Sequence, residues 1–316
     1  MSEALRIDER QPLLDFLESR LRLPACEPVL LAPLREFLSR PGKQLRARLV
    51  ALSWDLAGGL GEPPEELSLA LELLHAGSLI VDDIEDCAEE RRGGPALHLS
   101  RGLPIALNAG NWMYFAALEL LGSLRLDDAR CALAMRRAHA LLARCHEGQA
   151  LDVGLRIGDV PQAEVAQIAR AISERKSGGL AALAASLSAI SAGAPPAVEE
   201  ALSAFGTSLG VGLQILDDTS SIAAEARRAK GEEDLRNERV TWAWALLADR
   251  LEPRRYRAVR LSPRLDKLRE LLGDAGRWAA HRELHEAALL LRKAVGPSRA
   301  LDDAATLIAA LETSYG

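Results

Sequence analysis

The chain has 316 residues, of which 48% are hydrophobic and 4% aromatic. Its net charge of -6, with both signs mixed along the sequence, argues against a basic surface for nucleic acid. Four widely spaced cysteines without a Cys-x-x-Cys pair argue against a disulfide framework and fit a reducing cytoplasm.

Helical periodicity fills most of the sequence, and strand-like alternation is nearly absent. Ala and Leu dominate, while β-branched residues are sparse, which favours an all-α fold. Gly- and Pro-containing breaks divide the pattern into roughly ten helical segments. Because no break resembles a domain linker, we predict a single all-helical domain over residues 1–316, a large bundle around a central cavity.

Neither a signal peptide nor a membrane span is predicted. The first residues are acidic and lack an apolar stretch. The longest uncharged run, residues 177–198, is interrupted by Pro195-Pro196, so its helix is too short to cross a bilayer. We interpret that run as a buried core helix.

The first candidate site residues are Lys43 and Arg46, in the segment SRPGKQLRARL. They fall at the start of a predicted helix, where a phosphate can also meet free backbone N–H groups. Taken alone, each is more simply interpreted as a solvated charge.

An acidic motif, Asp82-Asp83 with Asp86, ends the apolar run LLHAGSLIV. At about 100° per residue, His75, Asp82 and Asp86 share one helix face, with Asp83 to the side. Unpaired carboxylates at the end of an apolar helix would be costly. Two carboxylates one turn apart suit Mg²⁺, which takes oxygen ligands and shares phosphate oxygens with a substrate. We therefore favour a metal site over a solvated acidic helix end.

Arg91 and Arg92 follow this first motif in a turn. Two interpretations stay equally open. The guanidinium forks could grip a phosphate, or they could neutralise the neighbouring Glu89 and Glu90.

A second acidic motif lies in GLQILDDTSSI, which contains Gln214, Asp217 and Asp218. Ser221 stands where a third aspartate would repeat the first motif. A hydroxyl is a weaker Mg²⁺ ligand than a carboxylate, so this second metal site is expected to be thinner. The charged segment that follows, residues 225–234, is interpreted as a flap over the site.

Several further residues matter collectively rather than singly: Lys176, Ser177, Asp234 and Arg239. Two acidic helix ends, scattered Lys and Arg, and a large apolar helical interior suit one task. That task is to bind a diphosphate through Mg²⁺ with an apolar chain in the core.

Seven segments in order resemble the trans-isoprenyl diphosphate synthases, or polyprenyl synthetases, from about Gly42 to Leu247. They are GKQLRARL, ELLHAGSLIVDDIED, RRGGPALH, EGQALDVG, ERKSGGL, LQILDD and DLRNERVT. Seven ordered matches are far more specific than a single Asp-Asp-x-x-Asp motif.

The resemblance implies an all-α homodimeric enzyme that joins isopentenyl diphosphate to an allylic diphosphate, with geranylgeranyl and farnesyl diphosphate synthases as its nearest kin. It implies roles for residues at matching positions. Asp82 and Asp86 would bind two Mg²⁺ with support from Asp83, and Asp217 would bind a third, with Asp218 nearby. The allylic diphosphate would contact Arg91, Lys176, Gln214 and Arg239, with Ser177 also counted as substrate-binding. The isopentenyl diphosphate would contact Lys43, Arg46, His75 and Arg92.

Departures from the family pattern leave two alternatives. Ser221 replaces an acidic or amide residue, Arg239 replaces Lys, and Ser177 replaces Thr. One alternative is a lyase or cyclase that ionises a prenyl diphosphate, and the other is a weakly active partner subunit. Retention of the isopentenyl-binding residues favours elongation, and intact first-motif aspartates argue against the partner subunit.

Product length in the family depends on residues four and five positions before the first motif, here Ser78 and Gly77. Both are small, so this wall of the chain pocket is expected to be open. The next floor is expected from the bulky run Trp112 to Phe115. These features favour a geranylgeranyl-length product, with farnesyl or longer left open.

Outside these motifs, His281 and His285 lie four residues apart in HRELHE. This helical spacing can bind a metal. The order of a zinc-protease motif is absent, however, and we interpret the pair as exposed helix residues.

Overall fold

A computed structural model describes residues 10–40 and 45–315, with side chains from Gln11 onward. Lys43, one of the candidate residues, therefore lies outside the described residues. Within them sixteen α-helices are present, more than the roughly ten segments expected, because several helices also end where no Gly or Pro stands, as at Lys176. The prediction of an all-α fold is confirmed.

The helices of the first half begin with α1. Their bounds are α1 Arg10–Arg20, α2 Ala32–Leu38, α3 Leu45–Leu56, α4 Glu65–Glu85, α5 Leu97–Arg101, α6 Leu103–Gly122 and α7 Asp128–Gly154. Those of the second half are α8 Val165–Arg175, α9 Ser177–Ala192, α10 Pro196–Ala223, α11 Arg228–Arg236, α12 Trp242–Arg250, α13 Pro253–Leu261, α14 Leu265–Leu272, α15 Ala275–Val295 and α16 Arg299–Ser314. Short π-helical and 3₁₀ turns join some of them, over Glu27–Leu31, Gln162–Glu164 and Glu225–Arg227.

A short β-hairpin with two-residue strands follows the first acidic motif. Strand β1, Glu90–Arg91, pairs antiparallel with β2, Gly94–Pro95. The Arg40 guanidinium donates to the carbonyl oxygens of Arg91 and Pro95, at 3.0 and 2.9 Å. The turn that carries Arg91 and Arg92 is therefore fixed to the preceding part of the chain.

Helices α9 and α10 form the middle of the core. Nearly all of α9 is buried, and its Ala and Ser residues let its neighbours approach closely. The uncharged run at 177–198 is thus a buried core helix, as predicted. The buried apolar side chains of the described residues form one continuous cluster, which packs α4, α9 and α10 together.

Both acidic motifs lie at the C-terminal ends of long, largely buried helices. The middle of α4 is mostly apolar, its last turn bears Asp82 and Asp83, and Asp86 directly follows it. The last two turns of α10 bear the second motif. Burial of the apolar turns fixes both ends rigidly, so the aspartates are held by the core rather than by loops.

The membrane prediction can be checked over residues 10–40 and 45–315. Among the helices described there, none combines the length and apolarity that crossing a bilayer would need.

Candidate active site

The first acidic motif leaves two carboxylates partly exposed and turns the third inward. The partly exposed region between the two acidic helix ends is called the cleft. The side chains of Asp82 and Asp86 are 17% and 28% exposed, whereas that of Asp83 is 1% exposed. Asp83 accepts hydrogen bonds from Arg91, at 2.7 Å from Nε and 2.5 Å from Nη2. Burial raises the pKa of Asp83, and Arg91 partly opposes this rise. Arg91 thus pairs with the buried carboxylate rather than with Glu89 or Glu90.

A lysine and an arginine lie over the exposed carboxylates of the first motif. Lys176, at the junction of α8 and α9, places Nζ 2.8 Å from Asp152 and 3.5 Å from Asp82. Arg239 donates to the Asp86 carboxylate and to the backbone carbonyl oxygen of Asp152. Burial alone would lower the pKa of Lys176, but the carboxylates of Asp82 and Asp152 outweigh it and raise that pKa.

Helix α7 contributes two residues that the sequence analysis did not assign. Gln149 donates to Asp82 and to Glu85, both at 2.6 Å, and Asp152 holds Lys176. A Cβ on Gly148 would lie 2.6 Å from that of Arg175, so glycine lets α7 approach this junction. Gln149 and Asp152 lie in the segment EGQALDVG, which the sequence analysis quoted. The residues that they contact are distant in sequence, so the sequence did not indicate these contacts.

The second acidic motif presents one carboxylate to the cleft. Asp217 lies 2.5 Å from Nη2 of Arg227 and 3.5 Å from Nζ of Lys230. Both cations come from the segment interpreted as a flap, which is helical and packs beside α10. Neither cation was identified from the sequence as a site residue.

Asp218 is buried and bound to the protein itself. Its carboxylate accepts from the Gln214 amide at 2.7 Å and from the Trp242 backbone N–H at 2.8 Å. Ser177 donates to the Gln214 side-chain oxygen at 2.6 Å, which orients that amide. Burial, followed by the charge of Asp234, raises the pKa of Asp218 to about 7.

Ser221 does not face the cleft. It is 1% exposed, and its hydroxyl donates to the Asp218 backbone carbonyl at 2.7 Å. A Cβ on Gly231 of α11 would lie 2.5 Å from the Ser221 carbonyl oxygen, so α11 covers this turn. The weak ligand expected at Ser221 is instead an internally bonded core residue.

Asp234 interacts electrostatically with Asp217 of the second motif and with Asp152, which lies beside the first. Burial raises its pKa to about 6 against the opposing charge of Lys230, and Asp217 and Asp152 raise it further. Asp152 also raises the pKa of Asp82, behind burial and Asp86. The two acidic helix ends therefore share one electrostatic field, in which carboxylates and cations alternate.

A second basic group lies near the middle of α4. Arg46 and Arg92 lie 3.6 and 3.5 Å from the two oxygens of Glu72. Burial and the charges of Arg46 and Arg92 hold the pKa of His75 well below its usual value. The ring is therefore neutral beside two arginines. Three of the four predicted isopentenyl-binding residues come together here, and the fourth, Lys43, is not described.

The expected open wall at Gly77 is occupied. A Cβ on Gly77 would lie 2.7 Å from the Gly110 carbonyl oxygen and 3.1 Å from the Met113 Cβ, because α4 and α6 cross there. Ser78 is half-buried and donates to the His75 carbonyl. Phe115, expected in the floor of the pocket, is 71% exposed. The role of Gly77 and Ser78 in product length stays a prediction.

The family model for polyprenyl synthetase matches residues 27–262. This chain belongs to the polyprenyl synthetase family. The resemblance stated from the seven segments is thereby confirmed.

Individual relatives support the family assignment, one by sequence identity and two by superposition of their solved structures. The geranylgeranyl diphosphate synthase of Sulfolobus acidocaldarius is 34% identical over 190 residues, which are 59% of this chain and 56% of that protein. The chain thus spans little more than half of that relative's length. The geranylgeranyl pyrophosphate synthetase of Pyrococcus horikoshii, 23% identical, superimposes with a TM-score of 0.80 over 97% of both chains. The Caulobacter crescentus polyprenyl synthase, solved with calcium and isoprenyl diphosphate, is 25% identical, with a TM-score of 0.73 over 96% of this chain and 93% of that one.

Proposed function

We propose that this polyprenyl synthetase is a trans-prenyltransferase that condenses isopentenyl diphosphate with an allylic diphosphate. The observation that carries this proposal is the presence of two separate cation groups along α4, one at its acidic end and one near its middle. One alternates with the acidic motifs, and the other surrounds His75. Two such groups suit two diphosphates, one with a metal and one without.

The acidic motifs fit Mg²⁺ by the chemistry of their donors. Asp82, Asp86 and Asp217 offer carboxylate oxygens in a cleft, which is the ligand set that Mg²⁺ prefers. The calcium in the Caulobacter structure supports a divalent ion in this family. We propose three Mg²⁺, two held by Asp82 and Asp86 and one by Asp217. Asp83 and Asp218 act behind them through Arg91 and Gln214. When bound, the ions neutralise charge on the leaving diphosphate.

The residues of the cleft would exchange partners when the allylic substrate binds. In the described state Lys176, Arg239 and Arg227 pair with the same aspartates that would take the ions. With Mg²⁺ held by those carboxylates, the three cations would be free to donate to the diphosphate oxygens. Such pre-placed positive charge stabilises the negative charge that develops as the allylic C–O bond breaks.

The second substrate would use the group around His75. Arg46 and Arg92 would exchange Glu72 for the isopentenyl diphosphate, and the neutral His75 would donate one N–H to it. The double bond of isopentenyl diphosphate then attacks the allylic carbon from which the diphosphate has departed. The resulting cation loses a proton. The departing diphosphate can accept that proton, so no strong protein base is needed.

We propose a geranylgeranyl-length product, supported by the printed names of the Sulfolobus and Pyrococcus relatives. Tyr114 lies beside Gly77, since a Cβ there would be 3.2 Å from the Tyr114 Cε1. A homodimer belongs to the same proposal. Exposed Leu103, Leu107 and Phe115 recur on α6 at spacings of four and eight residues, which is one helix face. The four free cysteines support a cytoplasmic location.

A product assay tests the proposed reaction. Purified protein with Mg²⁺ would receive isopentenyl diphosphate with dimethylallyl, geranyl or farnesyl diphosphate, and products would be identified by mass spectrometry. The proposal predicts that the wild-type protein forms longer prenyl diphosphates and that Asp82→Asn nearly abolishes their formation. Hydrocarbons or alcohols from the allylic substrate alone would instead identify a lyase or cyclase. No turnover with any primer would contradict both and leave the partner subunit.

A further inference from the structure

A cluster of three metal-ligating side chains lies outside the active site, between the last two helices. His281 and His285 are four residues apart on α15, and Glu312 comes from α16. Their nearest ligand atoms all lie within 4.8 Å of one another. The His281 Nδ1 lies 2.9 Å from a Glu312 oxygen, and the two imidazole rings have centroids 4.0 Å apart.

The packing of α15 and α16 fixes this arrangement. Leu284, which lies between the two histidines in sequence, is fully buried and packs against Gly212 of α10. On α16 the buried Leu307 and Ile308 dock the helix, and Glu312 follows one turn later. The backbone positions of all three ligands are therefore set by the core, although their side chains reach the surface.

The donor set indicates which metal this cluster would take. Two imidazoles and one carboxylate are the ligands of three-residue Zn²⁺ sites, with water in the fourth position. Zn²⁺ ligands lie about 2.0–2.2 Å from the ion, so a tetrahedral pair is roughly 3.4 Å apart. Small side-chain rotations bring atoms within 4.8 Å to that spacing. Mg²⁺ prefers oxygen ligands and would not compete well here.

We propose that His281, His285 and Glu312 form a binding site for a borderline transition-metal ion of the Zn²⁺ class, distinct from the active-site cleft. The ion would bridge α15 to α16 and fix the C-terminal helix. Tyr315 directly follows that helix, and its ring lies 5.3 Å from the Arg227 guanidinium. Arg227 pairs with Asp217, so the site fastens the element that covers the second acidic motif.

Metal titration tests the site directly. The full chain, without a histidine tag, would be titrated with Zn²⁺ in excess Mg²⁺, which occupies the aspartate motifs. Co²⁺ would serve as a spectroscopic probe. We expect one equivalent of Zn²⁺ to bind and a Co²⁺ ligand-field band to appear. His281→Ala, His285→Ala and Glu312→Gln should each weaken binding at least tenfold, since each removes one of three ligands.

His139→Ala is the matched control, because it removes an exposed histidine from α7, outside this cluster. It should bind Zn²⁺ as the wild-type chain does. Zn²⁺ should also raise the unfolding temperature of the wild type and of this control, but not of the ligand variants. Equal Zn²⁺ affinity in all the variants would overturn the site. A loss confined to the histidine variants would overturn the role of Glu312 and the bridge to α16.

Discussion

The two acidic helix ends each carry an aspartate pair and use it differently. At the end of α4, the first and last carboxylates face the cleft, and the middle one is buried against Arg91. At the end of α10, only Asp217 faces the cleft. Asp218 is buried against Gln214 and the Trp242 backbone, and Ser221 bonds to its own helix.

At both ends, the second residue of the aspartate pair is a core residue. Asp83 and Asp218 both hold a neighbouring element rather than the cleft, one the hairpin and the other the start of α12. The fifth position distinguishes the two ends. It is a partly exposed carboxylate at Asp86 and a buried hydroxyl at Ser221. We therefore expect the ends to respond differently to equivalent substitutions.

The largest expected effect is at the first cleft-facing position. Asp82→Asn removes a negative charge that both Mg²⁺ and Lys176 would use. We expect kcat/KM to fall about 10³-fold, or ~4 kcal/mol of transition-state stabilisation. Steady-state kinetics with an allylic primer would measure this. A loss of less than tenfold, in a variant with the wild-type circular dichroism spectrum, would mean that Asp82 is not in the metal site.

Asp86→Ser makes the first end resemble the second. It removes a ligand and releases Arg239 from its carboxylate partner, so we expect a loss of about 10²-fold in kcat/KM, or ~2.7 kcal/mol. Raising the Mg²⁺ concentration should restore part of the activity. Wild-type kinetics at low Mg²⁺ would contradict the distinction drawn between Asp86 and Ser221.

Within the second pair, the two aspartates should separate stability from activity. Asp218→Ala leaves the Trp242 N–H without its acceptor, and we expect the free energy of unfolding to fall by about 2 kcal/mol. Asp217→Ala removes only partly exposed ion pairs, so we expect a change within about 1 kcal/mol. Urea denaturation followed by circular dichroism would compare them. Equal losses would contradict the assignment of Asp218 to the core.

The smallest effects on activity are expected at Ser221. Ser221→Asp would bury a carboxylate under α11, so we expect a loss of about 2 kcal/mol in stability and no gain in activity. Ser221→Ala, the control, removes one hydroxyl bonded to its own helix and should cost less than about 1 kcal/mol. An active, fully stable Ser221→Asp would mean that this position reaches the cleft and can complete the second site.

The fold class and part of the candidate site could be predicted from the sequence. The Ala- and Leu-rich periodicity was sufficient for the all-α class, because helix formation depends on local propensity and pattern. The spacing of Asp82 and Asp86 placed them on one face. The contact of Lys176 with Asp152 and the burial of Ser221 under α11 could not be predicted, since they depend on packing between elements that are distant in sequence. Gly77 was interpreted as an open wall for the same reason, although α6 fills the space beside it.

The most direct test of the exchange of partners in the cleft is calorimetric binding of an unreactive allylic thiolodiphosphate with and without Mg²⁺. If Asp82, Asp86 and Asp217 take the ions and release Lys176, Arg239 and Arg227, Mg²⁺ should tighten binding at least a hundredfold. Asp217→Asn should lose most of that gain. Equal affinity with and without Mg²⁺ would contradict a shared metal–diphosphate site between the two acidic helix ends.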